Sequence, residues 1–136
     1  MIKYKEMGFK LTPQRLAILD YLDGNTQHPS AEDIDSALAD KFPTMSLATV
    51  YNTLETLRQK GFVQELSIDP DKKRFDPNVS PHNHLMCVDC RRIVDVPADF
   101  SLSLNDEDKA NFVILGHHVE FYGRCPECRI AAAQTS

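Results

Sequence analysis

The chain contains four cysteines, and they fall in two pairs of identical spacing, Cys87-Val88-Asp89-Cys90 and Cys125-Pro126-Glu127-Cys128. Two residues between cysteines let a tight turn aim both sulfurs at one ion, and two such pairs supply the four thiolates of a closed tetrahedral Zn2+ site. Two disulfides or four unrelated thiols are the alternatives, and one such pair alone would equally suit a redox dithiol. The opening Met1-Ile2-Lys3-Tyr4-Lys5-Glu6 has no apolar run of the kind that leads disulfide-bonded chains out of the cell, which favours zinc and a cytoplasmic location. The stretch between the pairs exceeds zinc-ribbon spacing, so the ion is expected to pin a small folded unit at both ends.

The second chemistry is carried by imidazoles and carboxylates. Of five histidines, His28 stands beside Pro29 in a loop, and His82 and His84 lie where the chain turns from a linker into a strand. Residues two apart on an extended strand project from one face, so His82 and His84 can grip one ion. Asp76 before the linker and Asp95 beyond the first cysteine pair are placed to close a nitrogen and oxygen shell suited to Fe2+, Mn2+ or Zn2+. Spacing does not bring residue 28 to residue 82, and a set of solvated surface side chains remains the plain alternative. His117 and His118 are neighbours, which point to opposite faces of a strand, so at most one of them could join a site.

The elements that must position these groups follow in order. Thr12 and Pro13 predict an N-cap and first helical residue, with Leu16, Ile18, Leu19 and Leu22 as the apolar face and Gly24 as the stop. Ser30-Ala31-Glu32-Asp33 fits a capping box opening a second helix through Ile34, Ala37 and Leu38, ended by Pro43. A third helix starts at Ser46, carries Leu47, Val50, Tyr51, Leu54 and Leu57 at helical spacing, and stops at Gly61. Phe62 to Ile68, a turn through Asp69-Pro70-Asp71-Lys72-Lys73, and Arg74-Phe75-Asp76 predict a hairpin with a basic tip. Beyond a linker at Pro77 to Pro81, strands are expected at Arg92 to Val96, Phe112 to Leu115 and His118 to Tyr122, with a short helix between Ser101 and Asn111 capped by Ser103. The residues from Arg129 onward carry no core pattern and are expected to fray.

Helix, helix, helix, hairpin is the order of a winged helix-turn-helix, whose third helix enters a DNA major groove; a generic three-helix core has the same order. Thr49, Asn52, Thr53, Arg58 and Lys60 are the polar groups that such a helix would present to bases or phosphates. A net charge of −5 argues mildly against nucleic acid, but Lys3, Lys5, Lys10 and Arg15 face only Glu6 in the first fifteen residues. No apolar stretch approaches the length of a membrane span. The expected fold class is α+β: a winged helix-turn-helix domain over residues 1–78, a hinge at 79–83, and a small zinc-clamped α/β dimerisation domain over 84–136.

Leu11-Thr12-Pro13-Gln14-Arg15, His28-Pro29-Ser30-Ala31, Ser46 to Asn52, His82-Asn83-His84-Leu85-Met86-Cys87 and Tyr122-Gly123-Arg124-Cys125 together resemble the ferric uptake regulator family of metal-dependent bacterial repressors over essentially the whole chain. The resemblance implies a cytoplasmic homodimer on a palindromic double-stranded DNA operator, and no enzyme activity. It implies that His28, Asp76, His82, His84 and Asp95 hold a regulatory Fe2+ or Mn2+, that Tyr51 reads the major groove, that Lys10 lies near the minor groove and that Arg15 contacts phosphate; Thr49 and Asn52 complete the expected DNA face. Asp76, where iron-uptake members usually carry glutamate, and Asn52, where they commonly carry arginine, resemble the peroxide-sensing branch. Peroxide is then the one small-molecule signal, and the ligand imidazoles of His28 and His82 are its targets. An iron-uptake or manganese-responsive repressor is the alternative. Pro81 and Asn83 stand where the family often has two ligands of a third metal site, and Ser101 to Asn111 departs from its leucine-rich helix.

Overall fold

The computed structural model describes residue 8, residues 10–97 and residues 102–135; Lys3, Lys5, Glu6 and Ser101, singled out above, lie outside the described residues. The chain divides into two compact units, Met1–Ser80 and Pro81–Ser136.

In the first unit the helices begin where short polar side chains take over the backbone donors that a helix start leaves unsatisfied. Helix α1 (Pro13–Leu22) is capped by the Thr12 hydroxyl, which accepts from the Arg15 amide. Helix α2 (Ala31–Leu38) opens on a full capping box: Ser30 accepts from the Asp33 amide at 3.1 Å, and Asp33 accepts from the Ser30 amide at 3.0 Å. It ends at Leu38, ahead of Pro43, with turns filling the residues between. Helix α3 (Leu47–Gln59) starts on Ser46 and closes through Gly61, whose φ of +79° lets the amides of Gly61 and Phe62 bond back to the carbonyls of Arg58 and Leu57. Strands β1 (Gln64–Leu66) and β2 (Arg74–Asp76) pair antiparallel as a short wing.

The apolar faces of the three helices meet in one core, with Ile18, Leu19, Leu22, Ile34, Val50, Leu54 and Leu57 fully buried and Val63 and Phe75 of the wing region packed on it. Each such side chain contributes about 1.5–3 kcal/mol by leaving water. This arrangement is a winged helix, as the order of elements predicts.

The second unit is a three-stranded sheet in the order β4-β3-β5, from β3 (Asn83–Cys87), β4 (Ile93–Val96) and β5 (Glu120–Gly123), with β4 antiparallel and β5 parallel to the central β3. Helix α4 (Asp106–Lys109) is one turn long and is capped by Asn105 instead of the expected Ser103. Phe112 to Leu115 is not a strand: among the described residues no segment is left to pair with it, and Phe112 and Leu115 are 74% and 95% exposed. The expected fraying from Arg129 is also corrected. Helix α5 (Pro126–Thr135) continues there, started by proline at its first position and by the bond from the Arg129 amide to the Cys125 carbonyl. No helix among the described residues is long and apolar enough to cross a membrane.

Candidate metal centres and nucleic-acid face

The sheet of the second unit ends in the cysteine cluster. Cys87 closes β3, Cys90 sits in the turn to β4, Cys125 follows β5 and Cys128 lies in the first turn of α5. All four are free, and their sulfurs lie within 4.8 Å of one another, Cys90 and Cys125 at 3.8 Å. Four sulfurs about 2.3 Å from one ion would stand about 3.8 Å apart, so the cluster fits zinc, and the four thiols are unbonded to one another. The amides of Cys125 and Cys90 point at Cys87 Sγ from 3.4 and 3.5 Å and hold that thiol down at about 6. The Cys125 side chain pushes Cys128 up to about 12, as expected of sulfurs crowded together without a cation. Two ion pairs unmarked in the sequence stitch the cysteine turns to each other, Arg124 with Asp89 and Arg92 with Glu127.

The imidazoles and carboxylates fall into one group in each unit. In the first, His28 Nε2 stands 3.4 Å from Asp76 Oδ2, with His28 1% and Asp76 2% exposed. His28 occupies the left-handed region at φ +54°, a conformation that costs a non-glycine residue roughly 1 kcal/mol or more and collects at functional sites. The other oxygen of Asp76 accepts from the Asn78 amide at 2.9 Å, which fixes the carboxylate's direction. In the second unit His84 and Asp95 are directly opposite in the β3–β4 register. His82 and His84, whose ring centres are 4.5 Å apart, approach Asp95 Oδ1 at 3.1 and 3.5 Å. Nitrogen and oxygen donors about 2.1 Å from one ion stand roughly 3.0–3.4 Å apart, so the spacing in each group suits a shared cation as well as it suits an imidazole–carboxylate ion pair. His117 and His118 are exposed and join no ligand cluster among the described residues.

On α3, Tyr51 and Asn52 are exposed, and Thr49 is half-buried with its hydroxyl 2.9 Å from Ser46 Oγ. Thr53, expected on the polar face, is buried: its hydroxyl donates to the Thr49 carbonyl at 2.8 Å, which lets the methyl face the core. The Tyr51 hydroxyl donates to Glu32 at 2.7 Å, raising the tyrosine above its ordinary value and lowering the carboxyl, so both keep these protonation states at neutral pH. Lys72 and Lys73 of the wing pair with Asp33 and Glu65. Lys10 is exposed, and its carbonyl accepts from the Arg15 guanidinium at 2.6 Å.

A winged helix followed by a small sheet bearing four clustered thiols and imidazole–carboxylate groups is the architecture of a metal-responsive transcriptional regulator. The ferric uptake regulator family model matches residues 6–122, and the chain belongs to that family. The peroxide operon regulator of Bacillus subtilis is 44% identical over 126 residues, 91% of this chain and 87% of its own length. The peroxide-responsive repressor PerR of Staphylococcus epidermidis is 38% identical over 127 residues, 92% and 85%. Among solved structures, the ferric uptake regulator of Francisella tularensis with iron matches at a TM-score of 0.73 and 25% identity over 95% of this chain and 99% of that one.

Proposed function

We propose that the chain is a cytoplasmic, homodimeric, metal-dependent transcriptional repressor that responds to peroxide and binds a palindromic DNA operator with one winged helix per half-site. The single observation that supports this is the grouping of the donors: His28 with Asp76 in the winged helix, and His82 and His84 with Asp95 in the second unit, are spaced compatibly with ligands of a cation. One Fe2+ or Mn2+ shared by all five residues ties the angle between the units, and hence the spacing of two recognition helices in a dimer, to metal binding. Zn2+ in the four-cysteine cluster is structural. The exposed Phe112 to Leu115 fits a face that a second copy of the chain covers, since so large an apolar run is costly to leave in water.

Operator contact is assigned to Tyr51, Asn52 and Thr49 on α3, with Lys10 and Arg15 near the backbone. Residues 1–80 carry ten basic and twelve acidic side chains, so affinity rests on this local face and not on the charge of the unit. The peroxide relatives and Asp76 support peroxide over plain metal availability as the signal. His28, Asp76, His82, His84 and Asp95 would hold ferrous iron, which would activate the O–O bond of peroxide; overall the peroxide would be the two-electron oxidant and the imidazole of His28 or His82 the reductant, one peroxide oxygen going to a ring carbon and the other leaving as water. The altered imidazole is a poorer ligand, the units uncouple and DNA is released.

The test is selection of a binding sequence from random duplexes with the manganese-loaded protein, followed by retention of that duplex by iron- and manganese-loaded protein with and without peroxide. Release from the iron form alone is expected. Equal retention by both would leave a repressor responding to metal without sensing peroxide, and failure to select any sequence would overturn the DNA-binding reading.

A further inference from the structure

The left-handed backbone of His28 is tied to a strand distant in sequence as well as to its own loop, where the Gln27 amide donates to Asn25 Oδ1 at 2.9 Å. The Arg74 guanidinium reaches the His28 backbone from across the unit. Its Nη1 donates to the His28 carbonyl at 3.2 Å, while Nε and Nη2 fork onto Asp69 Oδ2 at 3.2 and 3.0 Å. Beside it the Phe75 amide donates to the Pro29 carbonyl at 2.9 Å, so the loop carrying His28 is bonded to the strand that ends in Asp76. Asp69 spends its other oxygen on the Asp71 amide at 2.9 Å, which closes the wing turn and fixes the carboxylate that orients the guanidinium. Arg74 and Asp69 are both buried, although neither is a candidate ligand, and a DNA-contacting role would need Arg74 at the surface.

We propose that Arg74, oriented by Asp69, is a positioning residue for the regulatory metal: it locks the backbone of His28 so that its imidazole meets the Asp76 carboxylate at ligand spacing before any ion arrives. The proposal rests on the shared-ion reading of the previous subsection. Only a planar guanidinium with several fixed donors can hold a carboxylate and a carbonyl in different directions at once; a lysine ammonium keeps the charge but not the fork. Groups that orient metal ligands typically change affinity 10- to 100-fold when altered.

The experiment uses full-length, zinc-loaded protein and follows Mn2+ binding by the paramagnetic resonance signal of the free ion, in wild type, Arg74→Lys, Asp69→Asn and His28→Ala. Arg74→Lys is expected to weaken Mn2+ binding about 10- to 100-fold, with Asp69→Asn having a smaller effect in the same direction, zinc content unchanged, and the Mn2+-free proteins folded but less stable, since each variant leaves a buried charge imperfectly paired. Asp69→Asn keeps the test decisive if Arg74→Lys fails to fold. Wild-type affinity in both folded variants, or a loss that only tracks a fall in the stability of the Mn2+-free protein, would overturn the role of Arg74 while leaving the shared ion standing if His28→Ala still loses Mn2+. Wild-type affinity in His28→Ala would overturn both.

Discussion

The two units of this chain are stabilised by different means. The first closes around eleven buried apolar residues drawn from three helices, the turn before α3 and the wing region. The second buries Met86, Cys87 and Ile93, and leaves Leu102, Leu104, Phe112, Val113, Leu115 and Ile130 largely in water. A core holds the first unit. The second buries little apolar surface among the described residues, and under the proposed function a zinc clamp at one end and a second copy over the rest would supply what its core does not.

The largest effect that tests this contrast is loss of the clamp. Cys90→Ser or Cys125→Ser should abolish zinc binding and unfold the second unit, because structural zinc supplies roughly 10 kcal/mol of binding free energy that is also folding free energy. Dimers should disappear from sedimentation profiles while the helical signal of the first unit persists; a folded, dimeric, zinc-free mutant would break the contrast. A pH dependence accompanies it. In the folded cluster without a cation Cys87 is a thiolate at neutral pH and the raised Cys125 and Cys128 are protonated, and in a zinc-free chain whose second unit has unfolded the thiols return to about 8.5 and are mostly protonated too. Zinc uptake near pH 7.5 should therefore release at least two protons in a pH-stat, and zinc affinity should fall as pH is lowered. The Cys87 contribution is present above its unfolded value and is lost only as pH drops through about 6.

A middle-sized effect belongs to the first unit. Leu54→Ala, in the centre of its core, should cost about 3 kcal/mol in denaturant unfolding and leave zinc content untouched. Were zinc lost as well, the units would not be independently stabilised. The smallest is Ser30→Ala, which removes one half of the capping box beside the His28 loop and should cost about 1 kcal/mol in the same measurement.

The sequence was informative where one local rule sufficed. Thr12, Ser30 and Ser46 cap the helices that they were expected to cap, and Gly61 terminates α3, because caps depend on a few adjacent residues. The cysteine cluster was legible for the same reason: spacing and ligand type name the geometry. Failures arose where a partner distant in sequence decides. Phe112 to Leu115 has the composition of a strand but no strand beside it among the described residues, and Thr53 turns inward because a carbonyl one turn back accepts its hydroxyl. Helix α5 was missed because its apolar residues are mostly alanines with no strong periodicity; Pro126 just after a cysteine was the available signal. At the proposed regulatory site residue types pointed to His28, Asp76, His82, His84 and Asp95, but nothing local announces that Arg74 reaches back to the carbonyl of His28.

The central claim is that one ion is shared by the five imidazoles and carboxylates and that peroxide acts there. Mass spectrometry of peroxide-treated protein tests it most directly, comparing iron-loaded with manganese-loaded samples. The account predicts one added oxygen on the peptide containing His28 or His82 in the iron form only, in proportion to DNA release. Oxidation confined to the cysteines, or identical spectra from the two metals, would contradict it.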